Sequence, residues 1–137
     1  MSIAIKQMTD IDMAEILPLY ADAGWVNYTQ KPDMLENAYR NSLAILGAYD
    51  GEKLAGVIRA VGDGHSILYI QDIIVLSAYQ RKGIGTMLLK TLLAQYAHMY
   101  QKVLLTDDQP KTVAFYKSLG FSAAAECGCA AFVRQSV

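Results

Sequence analysis

At 137 residues the chain has room for one domain with a real core, and an apolar fraction of 53% against 18% charged residues excludes a disordered chain. A formal net charge of −1, with no Lys/Arg run, leaves no footprint for nucleic acid or lipid headgroups. No apolar stretch reaches membrane-spanning length and no basic-then-apolar leader follows Met1, so the expected location is the cytoplasm, with no membrane partner.

Ser2 to Met8 alternates weakly around Ile3 and Ile5 and predicts a first strand. Thr9 or Asp10 can cap a helix over Ile11 to Ala23, with Ile11, Ile16, Leu19 and Tyr20 as its apolar stripe. Pro18 should kink or shorten it, and Gly24 stops it. Trp25, Asn27 and Tyr28 then read as a loop, and Lys31-Pro32-Asp33 opens a second helix to about Ser42. Leu43 to Tyr49 and Leu54 to Val61 flank Asp50-Gly51-Glu52-Lys53, a hairpin signal. Gly62-Asp63-Gly64 turns into Ser66 to Leu76, whose nearly continuous apolar end suits a central strand.

Leu88, Leu89, Leu92, Leu93 and Tyr96 recur at helical spacing within Ile84 to Met99. Lys102 to Thr106 reads as a short buried strand. Asp108 can cap a helix that ends at Leu119, with Gly120 as its stop. Phe121 to Arg134 predicts one or two final strands. No repeat or linker divides the chain, so a single domain over 1–137 is expected. The order β-α-α-β-β-β-α-β-α-β describes a mixed α/β fold, a mostly antiparallel sheet flanked by helices on both faces.

Cys127 and Cys129 would share one face of the last strand, where adjacent thiols rarely form an unstrained disulfide. His65 and His98 have no ligand spacing with them, so buried thiols and no metal are expected. His65 fits a surface turn, and His98 a helix C-terminus where a cation is mildly favoured.

The sharpest local feature is a strand ending near Val75, then Gln80-Arg81-Lys82-Gly83-Ile84-Gly85, then a long amphipathic helix. The helix start exposes unpaired N–H groups and the positive end of the dipole. Gly83 and Gly85 allow close backbone approach, Arg81 and Lys82 add charge, and Thr86 adds a hydroxyl: a cradle for pyrophosphate. A P-loop would need a Gly-Lys-Ser/Thr ending that does not occur, and a dinucleotide fingerprint needs glycine where Leu88 stands.

With Gln80, Gly83 and Gly85 in place, the sequence resembles the GCN5-related N-acetyltransferase (GNAT) family, whose coenzyme signature is Gln/Arg-x-x-Gly-x-Gly/Ala. A second element, Phe115-Tyr116-Lys117-Ser118-Leu119-Gly120-Phe121, is similar to the family's Phe-Tyr-x-x-x-Gly-Phe, and Asp72-Ile73-Ile74-Val75 matches the strand before the loop. The resemblance covers about the whole chain. It implies acetyl-CoA as co-substrate, with Gln80 to Thr86 on the pyrophosphate, and Ile73, Ile74 and Val75 pairing by main chain with the pantetheine arm in a gap opened by a bulge. Gln109 and Phe115 would complete the coenzyme site, although many relatives carry Asn where Gln109 stands.

The implied reaction is acetyl transfer to a primary amine of a small molecule or peptide, by direct attack through a tetrahedral intermediate. The resemblance assigns Tyr116 the role of acid, which a phenol protonated at neutral pH can fill; its helical spacing with Val113 and Leu119 equally suits a core residue. Backbone N–H groups near Ile74 and Val75 would face the oxyanion. Asp72, the one carboxylate on the central strand, reads either as a base acting through water or as a structural partner of Arg59 or a backbone amide. The family's acceptor pocket borders Trp25, Asn27 and Tyr28, aromatics that can wall a pocket or cap the core. The alternative function is a non-catalytic acyl-CoA sensor. Relatives often dimerise, and an apolar C-terminal strand would offer a surface for a homodimer.

Overall fold

A computed structural model describes residues 2–134, and the chain divides into two compact units, Met1–Leu105 and Thr106–Val137. The first contains β1 (Ile3–Gln7), α1 (Met13–Asp22), a single helical turn α2 (Val26–Thr29), α3 (Pro32–Arg40), β2 (Ala44–Asp50), β3 (Lys53–Gly62), β4 (Ile67–Val75), α4 (Ile84–Gln95) and β5 (Gln101–Leu104). Its sheet runs in the order β1-β2-β3-β4-β5. The first three pairings are antiparallel and β4–β5 is parallel. The mixed, mostly antiparallel fold read from the sequence is the one observed.

Strand alternation sorts the buried side chains into two layers. Ile45, Val57 and Ile74 cluster with Ile16, Leu19 and Tyr20 of α1 and Leu35 and Tyr39 of α3. Leu46, Ile58 and Ala60 point the other way, as Gly56 does. A Cβ on Gly56 would lie 3.4 Å from Ile84 Cγ2 and Leu88 Cδ1, and 3.0 Å from the Ile74 carbonyl. Glycine therefore lets α4 press onto β3, whose fully buried Ile58 lies alongside the apolar stripe Ile84, Leu88, Leu89 and Leu92.

The ladder between β3 and β4 is interrupted by a bulge. Arg59 pairs with Asp72, but Ala60 pairs with Ile70, so Gln71 is an extra residue in β4. The bulge puts Asp72 on the α1/α3 layer while Ile70 stays with α4. The β5 pairing covers only Ile67 to Ile70. From Gln71 to Val75 the β5-side edge of β4 has no strand partner among the described residues of this unit.

Several local expectations are corrected. Asp12, not Thr9 or Asp10, caps α1, its carboxylate accepting from Ala14 N–H at 3.0 Å. Pro18 does not end α1, which continues to Asp22 with the ring on its exposed side. The stretch after Gly24 is the turn α2 rather than a loop, closed by bonds from Tyr28 and Thr29 N–H to the Trp25 carbonyl. Helix α4 stops at Gln95, because Tyr96 leaves helical geometry at ψ 31°. Strand β5 starts and ends earlier than the apolar run suggested.

The second unit contains α5 (Pro110–Ser118) and a short 3₁₀ turn, Ala124–Cys127. Gln109 is the N-cap of α5 without a side-chain bond; the Asp107 carboxylate accepts from its N–H at 3.0 Å, while Asp108, the expected cap, lies just upstream. The final strands expected over Phe121 to Arg134 are absent among the described residues. Local bonds take up some of the donors a ladder would need. Glu126 and Cys129 N–H bond to the Ala123 and Ala124 carbonyls at 2.9 Å, and Gly128 turns the chain at φ +74°. Cys127 and Cys129 are exposed rather than buried in a strand. A dimer built on a C-terminal strand loses its premise with that strand.

Candidate active site

The loop expected to hold pyrophosphate is shaped by two left-handed residues. Arg81 has φ +64° and Gly83 has φ +77°, a region an L side chain enters at a cost of about 1–2 kcal/mol. A Cβ on Gly83 would meet nothing within 4 Å, so the surface there is open. The first bond across the start of α4 runs from Met87 N–H to the Gly83 carbonyl at 3.0 Å. Ile84, Gly85 and Thr86 N–H groups therefore have no backbone acceptor among the described residues, as the first turn of a helix dictates. Arg81 and Lys82 are exposed beside them. Gln80 turns back instead, its Nε2 donating to the Val75 carbonyl at 3.1 Å.

That bond ties the loop to the end of the free β4 edge. Ile74 is buried against the α1/α3 layer, and Ile73 and Val75 are half-buried. Their backbones pair with β3 on one side only. A free strand edge followed by a positive-φ loop and uncapped amides suits a long ligand carrying amides and a pyrophosphate. The residues present therefore fit a coenzyme A thioester.

Asp72 lies beneath this edge and is buried. Arg59 Nε and Nη2 each lie 2.9 Å from its Oδ2, and Tyr20 donates to the same oxygen at 2.8 Å. Tyr39 and Tyr20 hydroxyls are 2.8 Å apart; since Tyr20 gives its proton to Asp72, Tyr39 is the donor between them. The Arg59 guanidinium sits 5.5 Å from the Tyr39 ring centre and donates to Ser42 Oγ at 3.3 Å. Burial, then neighbouring charge from the other tyrosine and Asp72, pushes the Tyr20 hydroxyl far above its ordinary value; burial does the same to Tyr39.

The acceptor residues expected near α2 stand on this network. Trp25 and Tyr28 approach the Tyr20 ring edge-on, with ring centres at 5.9 and 5.2 Å, so both rest on the core while Asn27 is exposed. Tyr28 Oη accepts from Gln71 Nε2 at 3.2 Å. Sequence reasoning missed the tyrosine pair and the exposed bulge residue Gln71. Tyr20 and Tyr39 had the right helical spacing for core, and the one available signal was that buried hydroxyls need partners. Nothing in the local sequence marks Gln71 as an extra residue.

In the second unit Phe115 and Phe121 flank Tyr116 edge-on, with ring centres at 5.0 and 5.9 Å. Burial, and to a smaller extent the Asp107 carboxylate, raises the Tyr116 hydroxyl above the ordinary tyrosine value. Gln109 is exposed. A separate cleft of about 300 Å³ lies between the end of β1 and the α3–β2 junction, lined by Gln7, Thr9, Tyr39, Arg40 and Ser42 among others. No group of three His, Cys, Asp or Glu residues is placed to hold a metal among the described residues, and no described helix is long and apolar enough to cross a membrane.

Comparison with known proteins agrees with this geometry. The profile of the Acetyltransferase (GNAT) family matches residues 8–121. A GNAT-family acetyltransferase of Streptococcus pneumoniae TIGR4 is 38% identical, with 98% of each chain covered and a TM-score of 0.89. An uncharacterized N-acetyltransferase of Pyropia yezoensis is 27% identical over 123 residues, 87% of this chain and 70% of its own length. A Pyrococcus horikoshii OT3 structure, 21% identical over 88% of this chain and 89% of that one with a TM-score of 0.77, shares the fold. The chain belongs to the GNAT family of acetyltransferases.

Proposed function

We propose that the chain, as a single domain, moves an acetyl group from acetyl-CoA directly to a primary amine of a small molecule or peptide. The observation that carries this reading is the free β4 edge from Gln71 to Val75 running into the positive-φ loop at Arg81 and Gly83. The family match, over residues 8–121, covers most of the first unit and reaches into the second.

Bound acetyl-CoA would supply an activated acyl carbonyl and a thiol leaving group. The amides of Ile84, Gly85 and Thr86, with Arg81 and Lys82, hold the pyrophosphate; Ile73 to Val75 offer main-chain groups to the pantetheine arm; Gln109 and Phe115 complete the coenzyme contacts. Backbone N–H groups near Ile74 and Val75 stabilise negative charge on the acyl oxygen. Tyr116 Oη, a phenol un-ionised at neutral pH even at the ordinary tyrosine value of about 10, donates its proton to the departing sulfur. Trp25, Asn27 and Tyr28 border the acceptor.

Deprotonating a lysine-like amine at neutral pH costs about 4–5 kcal/mol. Asp72 is a poor candidate for that task, with Arg59 and Tyr20 already on Oδ2. Its geometry favours the structural alternative: water takes the ammonium proton before attack, and the second proton, lost from nitrogen as the intermediate collapses, returns through water to the Tyr116 oxygen that protonated the sulfur. The test is thiol release from acetyl-CoA with a polyamine, an aminoglycoside, a free amino acid and an N-terminal peptide amine. Tyr116→Phe should lower kcat by about 10²-fold or more while calorimetry finds acetyl-CoA still bound. A parent that binds acetyl-CoA but turns over no amine would instead be the acyl-CoA sensor.

A further inference from the structure

The Arg59–Asp72 ion pair lies at the last regular cross-strand pair before the extra residue Gln71. A bulge is a soft point: without a constraint, β4 can slip by one residue and exchange its faces. Here a slip would drive Asp72 into the aliphatic α4 layer and leave Arg59 buried without its carboxylate, a change that costs several kcal/mol. The pair therefore pins the register. Asp72 also accepts from Tyr20, Tyr20 packs edge-on against Tyr28, and Tyr28 holds the Gln71 amide. A continuous chain of contacts thus links a buried guanidinium to the first residue of the free edge.

We propose that Arg59 is a positioning residue for acetyl transfer: through Asp72 it locks the β4 bulge and so sets the geometry of the edge from Gln71 to Val75. Arg59 touches no reactant and acts through the strand. The inference rests on the proposed use of that edge by acetyl-CoA. It goes further in assigning the alignment of the edge to a buried ion pair on the opposite layer from α4.

The decisive variants are Arg59→Lys, Arg59→Met, and the pair Arg59→Met with Asp72→Leu, which replaces the ion pair by apolar groups. Arg59→Met alone should melt earlier, because it strands a carboxylate. The double variant should recover much of that loss, as apolar replacements of buried pairs often do. Positioning predicts that the double variant loses about 10–100-fold in kcat with the best amine of the panel and binds acetyl-CoA more weakly, because the disturbed edge also meets the pantetheine arm. Arg59→Lys should recover part of kcat. In the absence of substrate, amide exchange over residues 70–75 should quicken in the double variant while α4 stays protected.

A double variant with parental kcat and parental exchange at β4 would overturn the proposal, leaving the pair a role in stability alone. A parent without turnover would sink the proposed function and the catalytic part of this inference together. The exchange measurement, which needs no substrate, would then still decide whether the pair locks the bulge.

Discussion

The two layers of the sheet solve packing in opposite ways. On one, α4 buries Ile84, Leu88, Leu89 and Leu92, and the sheet buries the aliphatic Leu46, Ile58 and Ala60. On the other, α1 and α3 bury an arginine, an aspartate and two tyrosine hydroxyls among Ile16, Leu19, Val57 and Ile74. No buried side-chain polar atom among the described residues lacks a partner. A buried ion pair contributes less stability than the same volume of hydrocarbon, so the polar layer cannot be explained as the better glue. It lies where β4 gains an extra residue, and there it provides a fixed register that hydrocarbon cannot specify. The aliphatic layer supplies stability; the polar layer supplies position.

The contrast can be broken from either side. Leu88→Ala in the aliphatic layer should cost about 2–5 kcal/mol by denaturant melts, yet kcat per folded molecule should stay parental. If turnover fell in step, the division of labour between the layers would be wrong. In the loop, Gly83→Ala forces a side chain to φ +77°. It should cost about 1–2 kcal/mol and weaken acetyl-CoA binding in calorimetry, with little change in the amine KM. In the polar layer, Tyr39→Phe removes one hydroxyl that donates to Tyr20, for about 0.5–1.5 kcal/mol.

The same tyrosines give the smallest and most specific signature, a pH dependence. Their folded values lie above the unfolded value of about 10. The unfolded chain therefore releases these protons first as pH rises. Their contribution is fully present below about pH 10 and declines above it. Melting temperature should fall more steeply on the alkaline side for the parent than for Tyr39→Phe. Equal slopes would show that the buried hydroxyls do not couple to folding.

Much of the molecule was legible in its residues. Two apolar runs and the Asp50–Lys53 turn between them mark the β2–β3 hairpin, and the spacing of Leu88, Leu89 and Leu92 marks α4, because in each case the apolar pattern and the burial agree. The loop from Gln80 to Gly85 was legible for a different reason: left-handed backbone and close approach require glycine, so its chemistry is written in the chain. Phe121 to Arg134 misled, because apolar content there was read as a strand. Alanine, cysteine and glycine have little β preference, and Glu126 can take the Ala123 N–H locally at 3.0 Å.

The sequence by itself determined the α/β class, most of the elements and the glycine loop between β4 and α4, since these depend on periodicity and on residues a few positions apart. Tertiary structure alone decided that Asp72 belongs with Arg59 and Tyr20, and that Gln71 is an extra residue bonded to Tyr28. Those contacts join positions 13, 52 and 43 residues apart along the chain. No local pattern encodes which of several strand registers wins; that choice is made by the pairing of buried charges across the sheet.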